Sequence, residues 1–238
     1  MRQYLAKKSE AQLSKKRYRT LCVRCLQPTT WCYCASVSPF DPHMTFVVLL
    51  HFLELRRRIA TGRMSHLSLQ GSYLILGDDY TNDPQVNELL NDPKYQAVIL
   101  QPGADSIEID RISDDEQKRI CPPGKKLLVF VVDGTWSTAF KTIRKSKNLR
   151  GLQKISFSPT KPSAFRVRKQ PQENYCSTIE AIHRTIDILG SSQGFATEKR
   201  EHDSLLRTFD SFVDRQVAYI DNLKKNNGTL SYRKKKTA

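Results

Sequence analysis

The sequence predicts an α/β fold: a mainly parallel sheet with helices on both faces. Three observations carry this. Short, β-branched, continuously apolar runs recur from residue 44 to residue 158, each is bounded by Gly, Pro or Asp, and segments of helical character separate them.

Taken in order, the expected strands are residues 44–52 (MTFVVLLHF), 73–77 (YLILG), 97–102 (AVILQP), 127–134 (LLVFVVDG) and a shorter run at 154–158. The expected helices are residues 54–69, 85–90, 113–120 and 137–145, then 178–189 and 203–224 in the last third. Ser177-Thr178-Ile179-Glu180 fits a capping box and marks a helix start, whose free N–H groups would suit an anion. There is no internal repeat. Ligands of open parallel sheets bind beyond the carboxyl ends of the strands. That rule selects His51-Phe52-Leu53-Glu54, Gly77-Asp78, Gln101-Pro102-Gly103 and Asp133-Gly134-Thr135-Trp136. No Gly-rich dinucleotide fingerprint follows a strand and no P-loop is present, which argues against both nucleotide-binding classes.

A chain of 238 residues accommodates one large domain with a small appendage. Its 39 Lys+Arg against 24 Asp+Glu give a net charge of +15, a field that favours polyanions such as RNA or DNA. The charge is segregated. Between Lys141 and Lys169 stand ten Lys or Arg and no acid, whereas Asp78 to Lys118 holds eleven acids and three bases. One basic and one acidic face are expected, with basic arms at residues 1–20 and 226–238. No apolar stretch is long enough to span a membrane and no signal-peptide core is found, so a cytoplasmic protein is expected.

In a reducing compartment, six cysteines point to metal or free thiols. Four of them, Cys22, Cys25, Cys32 and Cys34, lie within thirteen residues. The Cys22/Cys25 pair converges on one ion and the Cys32/Cys34 pair closes a tetrahedron, which suits structural Zn2+, with an iron–sulfur cluster as competitor. The expected organisation is therefore an arm (1–20), a zinc knob (21–40), an α/β domain (41–225) and a tail (226–238).

In the second half, Arg166 and Arg168 alternate to one face of an extended chain beside Ser163, forming a fork for phosphate or carboxylate. Lys141, Arg144, Lys145 and Lys147 make a basic edge after Trp136.

The order of Asp133-Gly134-Thr135-Trp136, the basic block after it, Ser163-Ala164-Phe165-Arg166-Val167-Arg168 and Tyr175-Cys176-Ser177-Thr178-Ile179-Glu180 resembles the DTW-domain family. Thr61-Gly62-Arg63 and the four-cysteine pattern fit it too. Where the family shows Pro after the His and Asn before Thr-Gly-Arg, this chain has Phe52 and Ala60. The resemblance implies a SPOUT-like fold and transfer of the 3-amino-3-carboxypropyl group of S-adenosylmethionine to N3 of a tRNA uridine. Bacterial members of this length are similar to the enzyme acting on position 47. It further implies a cofactor site built from Pro102, Gly103, Asp133, Gly134, Thr135, Trp136, Ser163, Arg166, Arg168, Tyr175, Ser177, Thr178 and Glu180. Arg63, Lys141, Arg144, Lys145 and Lys147 are then the expected RNA contacts.

Within that site, Asp133 either takes the N3 proton or positions the loop. Trp136 stacks on adenine or uracil, or faces the sulfonium. Arg166 or Arg168 clamps the methionine carboxylate or a tRNA phosphate. The competing functions are a zinc-bearing RNA-binding module without catalysis and an RNA methyltransferase using the same donor. No motif sets the oligomeric state.

Overall fold

A computed structural model describes residues 20–56, 59–167 and 175–227. The chain forms two compact units, Met1–Ala35 and Ser36–Ala238. Most of the expected basic arms, residues 1–19 and 228–238, lies outside the described residues.

Among its described residues the larger unit has six strands: β1 (Thr45–Leu50), β2 (Tyr73–Leu76), β3 (Tyr95–Leu100), β4 (Ile107–Glu108), β5 (Lys126–Asp133) and β6 (Gln153–Ser156). They form one sheet in the order β2-β1-β5-β3-β6-β4, and every pairing is parallel. The helices are α1 (Thr61–Ser68), α2 (Pro84–Asn91), α3 (Asp114–Ile120), α4 (Trp136–Lys145), α5 (Thr178–Leu189) and α6 (Asp203–Asn227). The α/β class read from the sequence is the one found.

Continuous apolar strands arise because both faces of the sheet are covered. On one face Val47, Leu49, Leu128 and Phe130 pack with Val86 and Leu89 of α2 and Ile143 of α4. Phe46, Val48, Val129 and Val131 point the other way and are equally buried, on the side of α1 and α5. Central β5 pairs with β1 so that Leu50 lies opposite Asp133, and the His51 N–H closes the ladder on the Asp133 carbonyl at 3.1 Å. The ends of β1 and β5 are thereby fixed side by side. No described helix is long and apolar enough to cross a membrane.

Two details differ from the sequence reading. The continuous helix expected over residues 54–69 is a 3-10 turn (Phe52–Arg56) followed by α1, which starts only at Thr61. Ala60 stands at the N-cap with no side-chain acceptor, so the start is set by an acceptor from elsewhere in the chain, Asp133. The two-residue edge strand β4 is too short for any periodicity to reveal.

Candidate active site

Each residue of Asp133-Gly134-Thr135-Trp136 has a distinct task. Asp133 ends β5 with its side chain only 4% exposed. Its carboxylate accepts from the Thr61 hydroxyl (3.4 Å), the Gly62 N–H (3.2 Å) and the Thr178 hydroxyl (2.5 Å). Thr61 and Thr178 open α1 and α5, so one anion sits where two helix N-termini converge, the favourable end of each macrodipole. Gly134 admits Thr138: a Cβ at position 134 would lie 2.6 Å from the Thr138 hydroxyl. Thr135 caps α4 by accepting the Thr138 N–H, and Trp136 is the first residue of that helix.

A second carboxylate plays the same part nearby. Glu180 completes the capping box of α5, accepting the Ser177 N–H at 2.7 Å and the Ser177 hydroxyl at 2.6 Å. It also accepts the Ser163 hydroxyl and the Ala164 N–H, both at 2.7 Å. The loop carrying Ser163 is therefore tied to the start of α5.

Between these two knots lies a cavity of about 540 Å3 at the carboxyl ends of β3, β5 and β6. The volume suits a nucleoside-sized ligand. Trp136 and Tyr175 stack in its wall, ring centroids 4.2 Å apart and planes 25° from parallel. Thr61, Gln101, Thr135, Ser177 and Thr178 supply polar atoms. No Asp, Glu, His, Lys or Arg lines the cavity among the described residues. Burial and the adjacent Glu180 push the Cys176 thiol up to about 12, so this lining thiol stays neutral.

Of the expected cofactor residues, Pro102, Gly134, Thr135, Trp136, Tyr175, Ser177 and Thr178 line the cavity. Asp133, Ser163 and Glu180 stand behind its wall as the ties just described, and Gly103 follows the lining residue Pro102. Arg166 pairs with Asp214 of α6 at an exposed position, and Arg168 lies outside the described residues. Among the expected RNA contacts, Arg63 is half-buried on α1. Lys145 pairs with Asp78 at 2.6 Å, while Lys141, Arg144 and Lys147 are exposed.

The DTW-domain model matches residues 19–217, from just before the cysteines into α6. The chain belongs to the DTW-domain family. It is 25% identical over 181 residues to tRNA-uridine aminocarboxypropyltransferase 2 of Drosophila melanogaster, covering 73% of this chain and 68% of that protein. The same-named protein of Macaca fascicularis is 22% identical over 186 residues (76% of this chain, 60% of that protein). That of Mus musculus is 21% identical over 227 residues (89% and 74%). No solved structure matches the chain.

The DTW match takes in residues 19–35 of the smaller unit, where Cys22, Cys25, Cys32 and Cys34 bring their sulfurs within 4.8 Å of one another. Cys22 and Cys34 lie 3.8 Å apart, Cys25 and Cys32 3.7 Å. A disulfide needs ~2 Å. Four thiolates held at ~2.3 Å around a tetrahedral ion stand about 3.8 Å apart, so the donor set fits Zn2+. The backbone N–H groups of Cys25 and Arg24 hold the Cys22 thiol down at about 6. Burial and the neighbouring Cys25 sulfur push Cys34 up to about 12, a conflict that a bound cation resolves.

Four residues of the candidate site were not among the expected cofactor residues, although Gln101 ends a strand that the topology rule selects and Thr61 and Gly62 belong to the Thr-Gly-Arg motif. Gln101 is 9% exposed and lines the cavity, and its amide oxygen has no protein partner among the described residues. Thr61 forms wall, Gly62 forms contact, and Phe140 is 47% exposed at the rim.

Proposed function

We propose that this DTW protein is a tRNA-uridine aminocarboxypropyltransferase that moves the 3-amino-3-carboxypropyl group of S-adenosylmethionine to N3 of a tRNA uridine. The observation that carries the reading is the stacked Trp136–Tyr175 pair in the wall of a nucleoside-sized cavity at the carboxyl end of a parallel sheet. Family membership and the printed names of the relatives support it.

Bound S-adenosylmethionine would supply an electrophilic Cγ on a sulfonium, so that the N3–Cγ bond would form as the S–Cγ bond breaks, with neutral methylthioadenosine leaving and the N3 proton released. The residues present do three things. Trp136 and Tyr175 offer π-faces for a base and attraction for a sulfonium. The apolar wall of Leu100, Val131 and Phe165 excludes water from an alkylation that has no use for it. Asp133 is a positioning residue: its oxygens are occupied by Thr61, Gly62 and Thr178, so it sets two cavity walls. Among the described residues the lining offers no carboxylate or imidazole, and rate comes from alignment.

The test is mass spectrometry of nucleosides from one tRNA incubated with protein and S-adenosylmethionine, beside Trp136→Ala. The expected result is a uridine carrying the aminocarboxypropyl mass, absent with the variant, and fragment mapping then gives its position. A methyl mass would make the protein a methyltransferase. No product together with no heat of cofactor binding would make it an RNA-binding module.

A further inference from the structure

Beside the aromatic cavity lies a second space of about 570 Å3 that shares Gln101, Phe140 and Ile143 with it. Its outer side carries Lys141, Arg144, Arg150 and Lys154. Lys154 is engaged by Asp105 at 2.6 Å. The other three have no ion-pair or hydrogen-bond partner among the described residues, and all are exposed. Lys141 and Arg144 are three apart on α4 and share a helix face, while Arg150 comes from the turn before β6. Three cations from two elements thus meet at one cleft next to a base-sized cavity. The C-terminal dipole of α4 favours Arg144 but leaves Arg150, outside the helix, unexplained.

We propose that this cleft seats the phosphodiester flanking the target uridine, with the uridine turned into the aromatic cavity and Phe140 at the passage between the two spaces. The inference rests on the transferase reading and adds how the RNA is presented: as an unpaired, splayed nucleotide rather than one inside a helix. A phosphate with two free oxygens on a continuing strand matches dispersed cations. A methionine carboxylate, the competing anion, is satisfied by one bidentate Arg.

The experiment uses the full chain and a short single-stranded uridine-containing oligonucleotide, with affinity measured across a series of salt concentrations. Lys141→Gln, Arg144→Gln and Arg150→Gln are compared with Lys118→Gln, whose parent lysine pairs with Asp115 on the acidic segment. Calorimetry on the same proteins measures S-adenosylmethionine and methylthioadenosine. Each cleft variant is expected to lower the slope of log affinity against log salt, by at most about 0.7, the share of one single-strand phosphate contact. The control keeps the wild-type slope, and both small molecules bind all variants as they bind wild type. Unchanged slopes in the three variants would overturn the proposal. So would weakened S-adenosylmethionine binding with methylthioadenosine unaffected, because the cations would then hold the carboxylate. Wild type that binds neither small molecule takes down the transferase reading itself, an outcome separate from any variant effect.

Discussion

Gly62 and Asp133, 71 positions apart, are packed so closely that only a glycine fits: the Gly62 N–H donates to the Asp133 carboxylate at 3.2 Å, and a Cβ on residue 62 would lie 2.7 Å from the carboxylate carbon. This contact explains the glycine of Thr61-Gly62-Arg63 and the aspartate of the β5 terminus together. The aspartate performs the capping that Ala60 cannot, and the glycine lets it approach. Both partners are buried, so the pair sets the position of Thr61 in the cavity wall.

Gly62→Ala is expected to destabilise the protein by about 1–3 kcal/mol, the range for overpacking a well-filled site. Because the added methyl pushes α1 away from β5, transfer should also fall at temperatures where the variant remains folded. Urea unfolding and single-turnover transfer measured side by side check this. A variant as stable and as active as wild type would mean the contact is not needed.

Asp133→Asn replaces one acceptor by a donor where three donors converge, leaving an unsatisfied buried group at roughly 1–3 kcal/mol. The rate should drop while the pH–rate profile keeps its wild-type shape, as expected of a residue that positions the site rather than accepting the N3 proton. A profile that loses its pH dependence in the variant would restore Asp133 as the proton acceptor.

The strand-end rule located this site from sequence alone, because the ends of β3 and β5 are where apolar runs stop at Gln101-Pro102 and Asp133-Gly134. The rest depended on contacts between distant segments. The Arg166 fork was legible as charge, but its exposed partner Asp214 belongs to α6, 48 positions away. Ser163 and Glu180 were legible as site residues, yet they are tied to each other behind the wall rather than presented to a ligand. Gln101 was legible as a strand end but not as a buried lining residue, since a glutamine there is ordinary until its neighbours are known to be apolar.

Trp136→Ala should weaken methylthioadenosine binding by about 1–3 kcal/mol, the worth of one base–aromatic stack. Tyr175→Phe should leave it unchanged, because the ring that stacks on Trp136 is retained. Calorimetry decides. Equal affinities for wild type and Trp136→Ala would place the adenine elsewhere.

One zinc per chain is expected by elemental analysis, falling well below that in Cys25→Ser and Cys34→Ser, with no visible absorbance of the kind iron–sulfur clusters give. Because the ligands must be deprotonated, zinc should be lost progressively on acidification. Chelation that leaves circular dichroism and proteolysis of residues 20–35 untouched would show that the knob folds without metal.

The α5–α6 contact predicts a pH dependence of stability that is independent of the site. His202 is fully buried, and burial lowers its pKa below the ordinary 6.5, so it folds as a neutral ring. It lies 3.2 Å from Asp187, with the His183 ring 4.7 Å away and Arg184, Arg200 and Asp203 around them. Burial pushes the Asp203 carboxyl up, but the bonds from Arg200 and His183 outweigh it and hold the group at about 2, and Asp187 is lowered likewise. All three groups bind protons more readily when unfolded than when folded, so acid favours unfolding. Their contribution is fully present above pH 6.5. It is lost first through His202 as pH falls below that value, then through Asp203 between about 4 and 2, with Asp187 contributing in the same direction. Urea midpoints measured from pH 7.5 down to pH ~5 should therefore decline in wild type, and decline less in His202→Gln, which has no ring to protonate. Parallel declines in the two proteins would assign the acid sensitivity to other groups.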